Sequence, residues 1–410
     1  MKTINIPWGE WYEEIELSLP IPDRWQMHTT SMKGPFNLSE EEIKKAFANP
    51  IGTKKIEDLA RGKKNVVIVT DDLTRPTPTY KFMPFILEEL WKAGVKEENI
   101  TIIMAIGAHK PMERSELIKK LGQETVNRIR VYNHFPYENL VYIGDSLRGY
   151  PIKVNKMYYD ADLRISVGSI MPHPTAGFGG GGKIVMPGVS SIEVIRRSHQ
   201  PAHVGETGGY LECEENTFRE EAEEVAAKAD LDVIVNVVLR SREEIAGVFV
   251  GDMVKAHREG VKLAQKVYAS EVYFDKVDIA IANCYPVDLD IIQMQKALNC
   301  FGAGKENLVR EGGAIVITTA ASQGRGTHFL SDVGMSLYMP TPDFAHCGTI
   351  LKGKENLIFT SNLSWYDVAD FLPNATLFKR WDDVVKNLQE LYGKEPVVGL
   401  FPTAPLQILK

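Results

Sequence analysis

Two histidines, a lysine and a run of glycines share one stretch of this chain. Residues 171–203 read MPHPTAGFGGGGKIVMPGVSSIEVIRRSHQPAH, with His173, Gly177, Gly179 to Gly182, Lys183 and, further on, His199. Glycines lack Cβ atoms, so backbone can approach a ligand closely and successive N–H groups can cradle an anion. A lysine closing such a loop serves as a phosphate contact or as a nucleophilic amine. Imidazoles add proton transfer or metal ligation. The combination points to a cofactor site rather than a turn.

More polar residues stand just past apolar runs. NVVIVT is followed by Asp71, Asp72, Leu73, Thr74 and Arg75; ITIIMA is followed by Gly107, Ala108, His109 and Lys110. LRISVGSI leads to His173, VDIAIAN leads to Asp288, Asp290, Gln293 and Lys296, and GAIVITT leads to Ser322, Gln323, Arg325 and His328. In an open parallel sheet, ligands bind beyond the carboxyl ends of the strands, which is where these groups fall. Each also has a bland reading. Asp72 and Arg75 could form a local ion pair in a turn, Gln293 and Lys296 could be solvated early in a helix, and a loop histidine is often a surface residue. His28, His134, His257 and His346 lack such a context and read as structural or surface residues.

Known devices fit the glycine loop poorly. Gly177 to Lys183 matches G-x-x-x-x-G-K, but Ile184 stands where a phosphate-binding loop needs Ser or Thr for Mg²⁺. Gly177, Gly179 and Gly182 match G-x-G-x-x-G, yet Lys183 interrupts the start of the expected helix. His199 and His203 have metal-ligand spacing, but Pro201 lies between them and no H-E-x-x-H glutamate is present. A zinc hydrolase is disfavoured; a single metal bond from His199 is not.

These residues must be positioned by strands alternating with helices. The strands expected are 65–70, 100–105, 163–170, 232–239, 277–283 and 313–319, apolar enough to be covered on both faces. Helices are expected over 81–92, 114–121, 217–228, 253–267, 291–309 and 382–391. Capping boxes are read at Ser39-x-x-Glu42 and Thr217-x-x-Glu220. The fold expected is α/β: two domains with mainly parallel sheets flanked by helices and an active site in the interdomain cleft. An N-terminal cofactor-binding and catalytic domain would span 1–270, a substrate-closing domain 271–395, and a tail, 396–410, could pack back on the N-terminal domain.

Bulk composition narrows the function. The 410 residues are 44% hydrophobic and 25% charged, which is ordinary for a globular chain with ample core. A net charge of -7 argues against nucleic acid or an anionic membrane as the main partner. Four widely spaced cysteines without a C-x-x-C pair suit a reducing compartment. The opening residues resemble neither a signal peptide nor an anchor, and no apolar run reaches ~18 residues. A cytoplasmic protein is expected.

In combination, DLTR (Asp72–Arg75), GAHK around His109, HPTAGFGGGGK (His173–Lys183), His199 and Gln293-x-x-Lys296 resemble the nickel-pincer lactate racemase family. The resemblance implies a two-domain α/β enzyme carrying nickel in a pyridinium-3,5-bisthiocarboxylic acid mononucleotide. Lys183 would hold that cofactor covalently and His199 would ligate nickel. Asp72, Leu73, Thr74, Arg75, Gly179 and Gly180 would embrace the cofactor. His109 and His173 would be the acid/base pair, while Gln293 and Lys296, with Arg75 assisting, would fix the substrate. Proteins that make and insert the cofactor are implied as partners.

The implied reaction is chemically reasonable. Taking the Cα proton of a 2-hydroxy acid would create an enolate dianion. Moving the hydroxyl proton to a base while hydride leaves Cα avoids it, and the planar 2-keto acid can be re-reduced on either face. Two enantiomers present the hydroxyl differently, so two bases near neutral pKa are apt. The family's lactate enzyme has Tyr where Ile292 stands here, which leaves the 2-hydroxy acid open. The rival readings are a nucleotide-dependent enzyme using the glycine loop and a non-catalytic binder of a small carboxylate.

Overall fold

The structure is a computed structural model and describes residues 1–34, 36–199, 209–302, 304–330 and 349–410. His203, His346 and Cys347 lie outside the described residues. The chain divides into two units, each built on its own six-stranded sheet.

One unit comprises the described residues of Pro35–Ala264 and Thr327–Met335. Its sheet runs Ile245–Gly251, Val233–Leu239, Leu163–Ser169, Val66–Thr70, Ile100–Met104, Arg130–Asn133. Only the edge pair Val233–Leu239 and Ile245–Gly251 is antiparallel; the other neighbours are parallel. VVIVT, ITIIM, LRISVGS and VIVNVVL are buried along their whole length; all but LRISVGS, where Arg164 and Ser166 alternate with apolar residues, read as near-continuous apolar runs. Helix Thr217–Lys228 covers one face, with Phe218, Ala222 and Val225 packing against Val67, Val69 and Ile103.

This register creates the site. Thr70 is paired with both Met104 and Val167, so three parallel strands end side by side. The polar groups after each end, Asp71–Arg75, Gly107–Lys110 and His173–Lys183, therefore emerge from one edge of the sheet.

The other unit comprises the described residues of Met1–Gly34, Gln265–Gly326 and Ser336–Lys410. Its sheet is parallel throughout: Ala375–Phe378, Glu355–Phe359, Val309–Thr318, Val277–Asn283, Val397–Phe401, Gln26–Thr29. Ile279, Ile281, Val316, Leu357 and Leu388 form its core, to which the hairpin Lys2–Trp8 and Ile15–Ile21 adds Ile6 and Leu19. Residues 1–34, read from the sequence with the N-terminal domain, belong here because Gln26–Thr29 pairs with Val397–Phe401. The last residues belong here too, since Ile408–Leu409 pairs with Ala269–Ser270.

Two local expectations are corrected. The long helix over 291–309 is instead a short turn, Ile291–Met294, a 3-10 segment, Gln295–Phe301, and then strand from Val309. Gly302 and Gly304 follow the 3-10 segment, and glycine is a poor helix former. Ser39 and Glu42 do form a capping box, but the Thr217–Lys228 helix is capped one residue earlier, by Asn216 accepting from Arg219 N–H. Among the described residues, no helix is long and apolar enough to cross a membrane.

Candidate active site

The loop after Val66–Thr70 is locked from beneath by Lys120. Its fully buried ammonium pairs with Asp71 Oδ1 at 2.6 Å and donates to the carbonyls of Asp72 (2.8 Å) and Arg75 (2.9 Å). Burial pushes Asp71 up and Lys120 down, and their pairing opposes both shifts. Thr77 Oγ1 donates to the other Asp71 oxygen at 2.6 Å.

This anchoring fixes Asp72 beneath His109. Thr74 N–H donates to Asp72 Oδ1 at 2.9 Å and the Thr74 hydroxyl donates to the same oxygen, while Asp72 Oδ2 lies 2.6 Å from His109 Nδ1. Burial alone would raise the Asp72 pKa, but His109 first and then Arg75 hold it well below the usual carboxylate range. An ionised carboxylate only accepts, so His109 Nδ1 carries a proton, and in the neutral ring Nε2 then holds the lone pair. Arg75 Nη1 donates to Thr74 Oγ1 at 2.8 Å, completing the cluster.

A third imidazole adjoins it. The His109 and His328 backbones form an isolated bridge, and their rings meet edge-on with centroids 5.1 Å apart. His328 Nδ1 accepts from Leu330 N–H at 3.3 Å. Burial, then the nearness of His109 and His199, push its pKa well down, so this ring is neutral.

The glycine loop is shaped by the protein's own interior. At Gly177 (φ +70°) a Cβ would lie 2.1 Å from Glu212 O, and at Gly180 (φ +75°) 2.6 Å from Asn236 Oδ1. Asn236 Oδ1 accepts from Gly181 N–H at 2.8 Å. Arg219, fully buried, donates to the carbonyls of Gly180 (2.9 Å), Ala176 (3.2 Å) and Phe178. His257 Nε2 donates to Gly179 O at 2.8 Å while its Nδ1 accepts from Arg258 at 3.0 Å. Burial, then the Arg219 charge, push His257 well down, consistent with that neutral form. Lys183 itself lies in a single 3-10 turn, Gly181–Ile184. No extended helix starts there, whereas a nucleotide-binding loop of the G-x-x-x-x-G-K type leads straight into one.

Around the buried ring of Phe218 three sequence-predicted residues meet. Lys183 Nζ lies over the ring, 5.6 Å from its centroid; His173 stacks on it at 6.3 Å; His199 approaches edge-on at 5.8 Å. His173 Nδ1 accepts from the N–H groups of Thr175 (3.3 Å) and Ala176 (3.2 Å), so its Nε2 carries the proton. His199 is the reverse: Nδ1 lies 2.8 Å from Ile195 O, which can only accept, so Nδ1 is protonated and Nε2 holds the lone pair. Among the described residues, no group of three or more His, Cys, Asp or Glu is gathered as a ligand set.

Gln293 and Lys296 belong to the other unit. Gln293 is buried, with its N–H on the Asp290 cap at 2.8 Å, and its Oε1 accepts from Lys296 Nζ. They are paired with each other rather than solvated.

Comparison with known proteins matches residues 12–208 to the lactate racemase N-terminal domain. That segment contains Asp72, Arg75, His109, His173, Lys183 and His199. The lactate racemase of Thermoanaerobacterium thermosaccharolyticum is 35% identical over 338 residues, which is 80% of this chain and 76% of that protein. The chain belongs to the lactate racemase family. It is an isomerase of the lactate-racemase type. The Lactiplantibacillus plantarum lactate racemase is 36% identical over 309 residues, 72% of this chain and 70% of its own. The solved lactate racemase apoprotein from T. thermosaccharolyticum superposes with a TM-score of 0.78 at 27% identity, covering 100% of both chains. A Thermotoga maritima protein shares the fold, with a TM-score of 0.68 at 19% identity over 92% of this chain and 99% of that one.

Sequence reasoning missed Phe218, Arg219, Asn236 and Lys120, while His257, read as structural or surface, is the buried support of Gly179. The 3.6-residue period of 217–228 places Phe218 on an inward face. Nothing local distinguishes Arg219, fully buried, from the exposed Glu220 beside it or Lys228 at the end of the same helix.

Proposed function

We propose that this chain is a nickel-pincer-dependent racemase or epimerase of a small 2-hydroxy acid. The observation that carries the reading is a complementarity of imidazoles in one unit: His109 offers a lone pair at Nε2, while His173 offers a proton there. As neutral rings one presents an acceptor and the other a donor, and either becomes an acid once it is an imidazolium.

The residues fit the cofactor. His199 has Nδ1 tied to a backbone carbonyl and Nε2 in the ligating form, the usual arrangement for a metal-binding histidine. A single protein nitrogen suits a metal whose other donors come with the cofactor. Lys183, a primary amine that shares the Phe218 ring with His173 and His199, would carry the covalent linkage. When bound, the nickel pincer supplies a hydride acceptor. Leu73, Gly179 and Gly180 would line it with Asp72, Thr74 and Arg75.

The chain's own part is to move a proton and orient the substrate. His109 Nε2 takes the hydroxyl proton, and Asp72 stabilises the imidazolium that forms. His173, once its Nδ1 has also gained a proton, would give its Nε2 proton to the oxygen as the planar 2-keto acid is re-reduced, and return to the neutral ring. For the opposite enantiomer these parts exchange. The Thr175 hydroxyl, 3.2 Å from His173 Nδ1, can turn from donor to acceptor as that nitrogen gains a proton. Lys296, Gln293 and Arg75 would fix carboxylate and hydroxyl. Cofactor binding is assigned to the unit carrying residues 72–199 and substrate fixing to the other. Ile292, where the family's lactate enzyme has Tyr, points to a 2-hydroxy acid other than lactate. Cytoplasmic residence and partners that make and insert the cofactor belong to the same reading.

The experiment is co-production with cofactor-making proteins, then intact-mass and metal analysis and chiral chromatography on 2-hydroxy acids. A mass increase on Lys183, stoichiometric nickel and enantiomer exchange are expected. Full nickel without exchange of any 2-hydroxy acid would sink the reaction.

A further inference from the structure

We infer that Phe218, seconded by Arg219, is a positioning residue that assembles Lys183, His173 and His199. The inference rests on the proposed function, which makes those three the working side chains. They come from separate points in the chain, and what they share is one ring that is only 1% exposed. The ammonium of Lys183 lies over it at 5.6 Å, His173 stacks on it with a 29° interplanar angle, and His199 meets it at 89°. An aromatic face attracts a cation, and ring pairs favour stacked or edge-to-face geometry, so one ring orients all three.

The ring itself cannot wander. Phe218 is packed into the cluster of Val67, Val69, Ala222 and Val225. Its neighbours hold the backbone that carries the site. Asn216 Nδ2 donates to Thr175 O at 2.9 Å, and Arg219 donates to the carbonyls of Ala176, Phe178 and Gly180. The turn Asn216–Arg219 thus grips the 175–180 backbone with two side chains and the three functional side chains with a third. A hydrophobic anchor would need only apolar bulk. A positioning residue needs the ring.

Phe218→Leu keeps the bulk and removes the ring; Phe218→Tyr keeps the ring. In protein without cofactor, the ring-current displacement of the His173 and His199 Cε1–H signals is expected to vanish in Phe218→Leu and persist in Phe218→Tyr. In loaded enzyme, Phe218→Leu should lower kcat about 10²-fold with KM within about threefold, and Tyr should restore most of it. Unmoved imidazole signals in the Leu protein, or equal losses in Leu and Tyr proteins, would overturn the inference. Should the Leu protein not fold, Arg219→Lys takes its place, keeping the charge but not the three-carbonyl fork. It should lower the yield of Lys183 adduct, and loading and turnover like wild type would overturn the role. A wild-type protein that never loads, with signals that still move, would refute the proposed function and leave the positioning role standing.

Discussion

Asp72 Oδ2 lies 2.6 Å from His109 Nδ1, and Thr74 donates twice to the other carboxylate oxygen. The two contacts together decide what an amide would do in the same place. In Asp72→Asn the oxygen stays with Thr74, so the NH2 group faces His109 Nδ1 and drives the ring proton to Nε2. A base becomes a donor. We expect kcat to fall by about 10²–10⁴-fold with the fold retained. Near-wild-type turnover in this variant would show that the pair does not set the tautomer.

His199 holds its Nδ1 against Ile195 O at 2.8 Å, leaving Nε2 as the ligating atom. His199→Ala should lose nickel while Lys183 keeps its mass adduct. Metal analysis beside intact-mass spectrometry separates these effects, and retained nickel would move the ligand elsewhere.

At Gly180, a left-handed backbone and a 2.6 Å approach to Asn236 Oδ1 coincide. Gly180→Ala should cost about 1–3 kcal/mol in urea unfolding, from strain and clash together. Gly149, with φ +78° and nothing within 4 Å of its Cβ position, isolates the strain. Gly149→Ala should cost about 1 kcal/mol. Equal losses at the two positions would mean that the loop yields around the added methyl.

Acid should weaken the protein before its carboxylates titrate. Burial pushes the His134 pKa down to about 4, partly offset by its bond to Ser190 O. Above pH ~6.5 the ring is neutral whether folded or not. Between there and about 4 the unfolded chain takes a proton that the folded chain refuses, so stability falls as pH falls, by about 3 kcal/mol over the window. His257 and His328, also pushed down by burial, act in the same direction. Asp72 is shifted in the same direction, but its contribution is lost only below pH ~4. Urea midpoints at pH 7, 6 and 5 test this: wild type should decline and His134→Gln should decline less. A flat wild-type profile would contradict the buried neutral ring.

Much of this site was legible because parallel strands export polar residues at one end. Asp72, His109 and His173 each follow a strand-forming run rich in β-branched residues, and pairing of Thr70 with Met104 and Val167 brings those ends together. The glycines were legible as a special loop, but their cause was not. Gly177 and Gly180 are demanded by Glu212 O and Asn236 Oδ1, from segments far along the chain. Arg219 and Lys120 were missed because a buried cation and an exposed one look alike until the carbonyls that receive them are known. The expected helix over 291–309 failed where Gly302 and Gly304 outweighed an apolar pattern.

The pairing of Gln26–Thr29 with Val397–Phe401 also orders the birth of the molecule. Gln26–Thr29 waits at the ribosome until Val397–Phe401, its partner far along the chain, has been translated. The unit holding residues 36–264 needs no such delay, apart from the short piece carrying His328. Nascent chains should therefore consolidate the histidine-bearing unit first, while the other is still awaiting its closing strand.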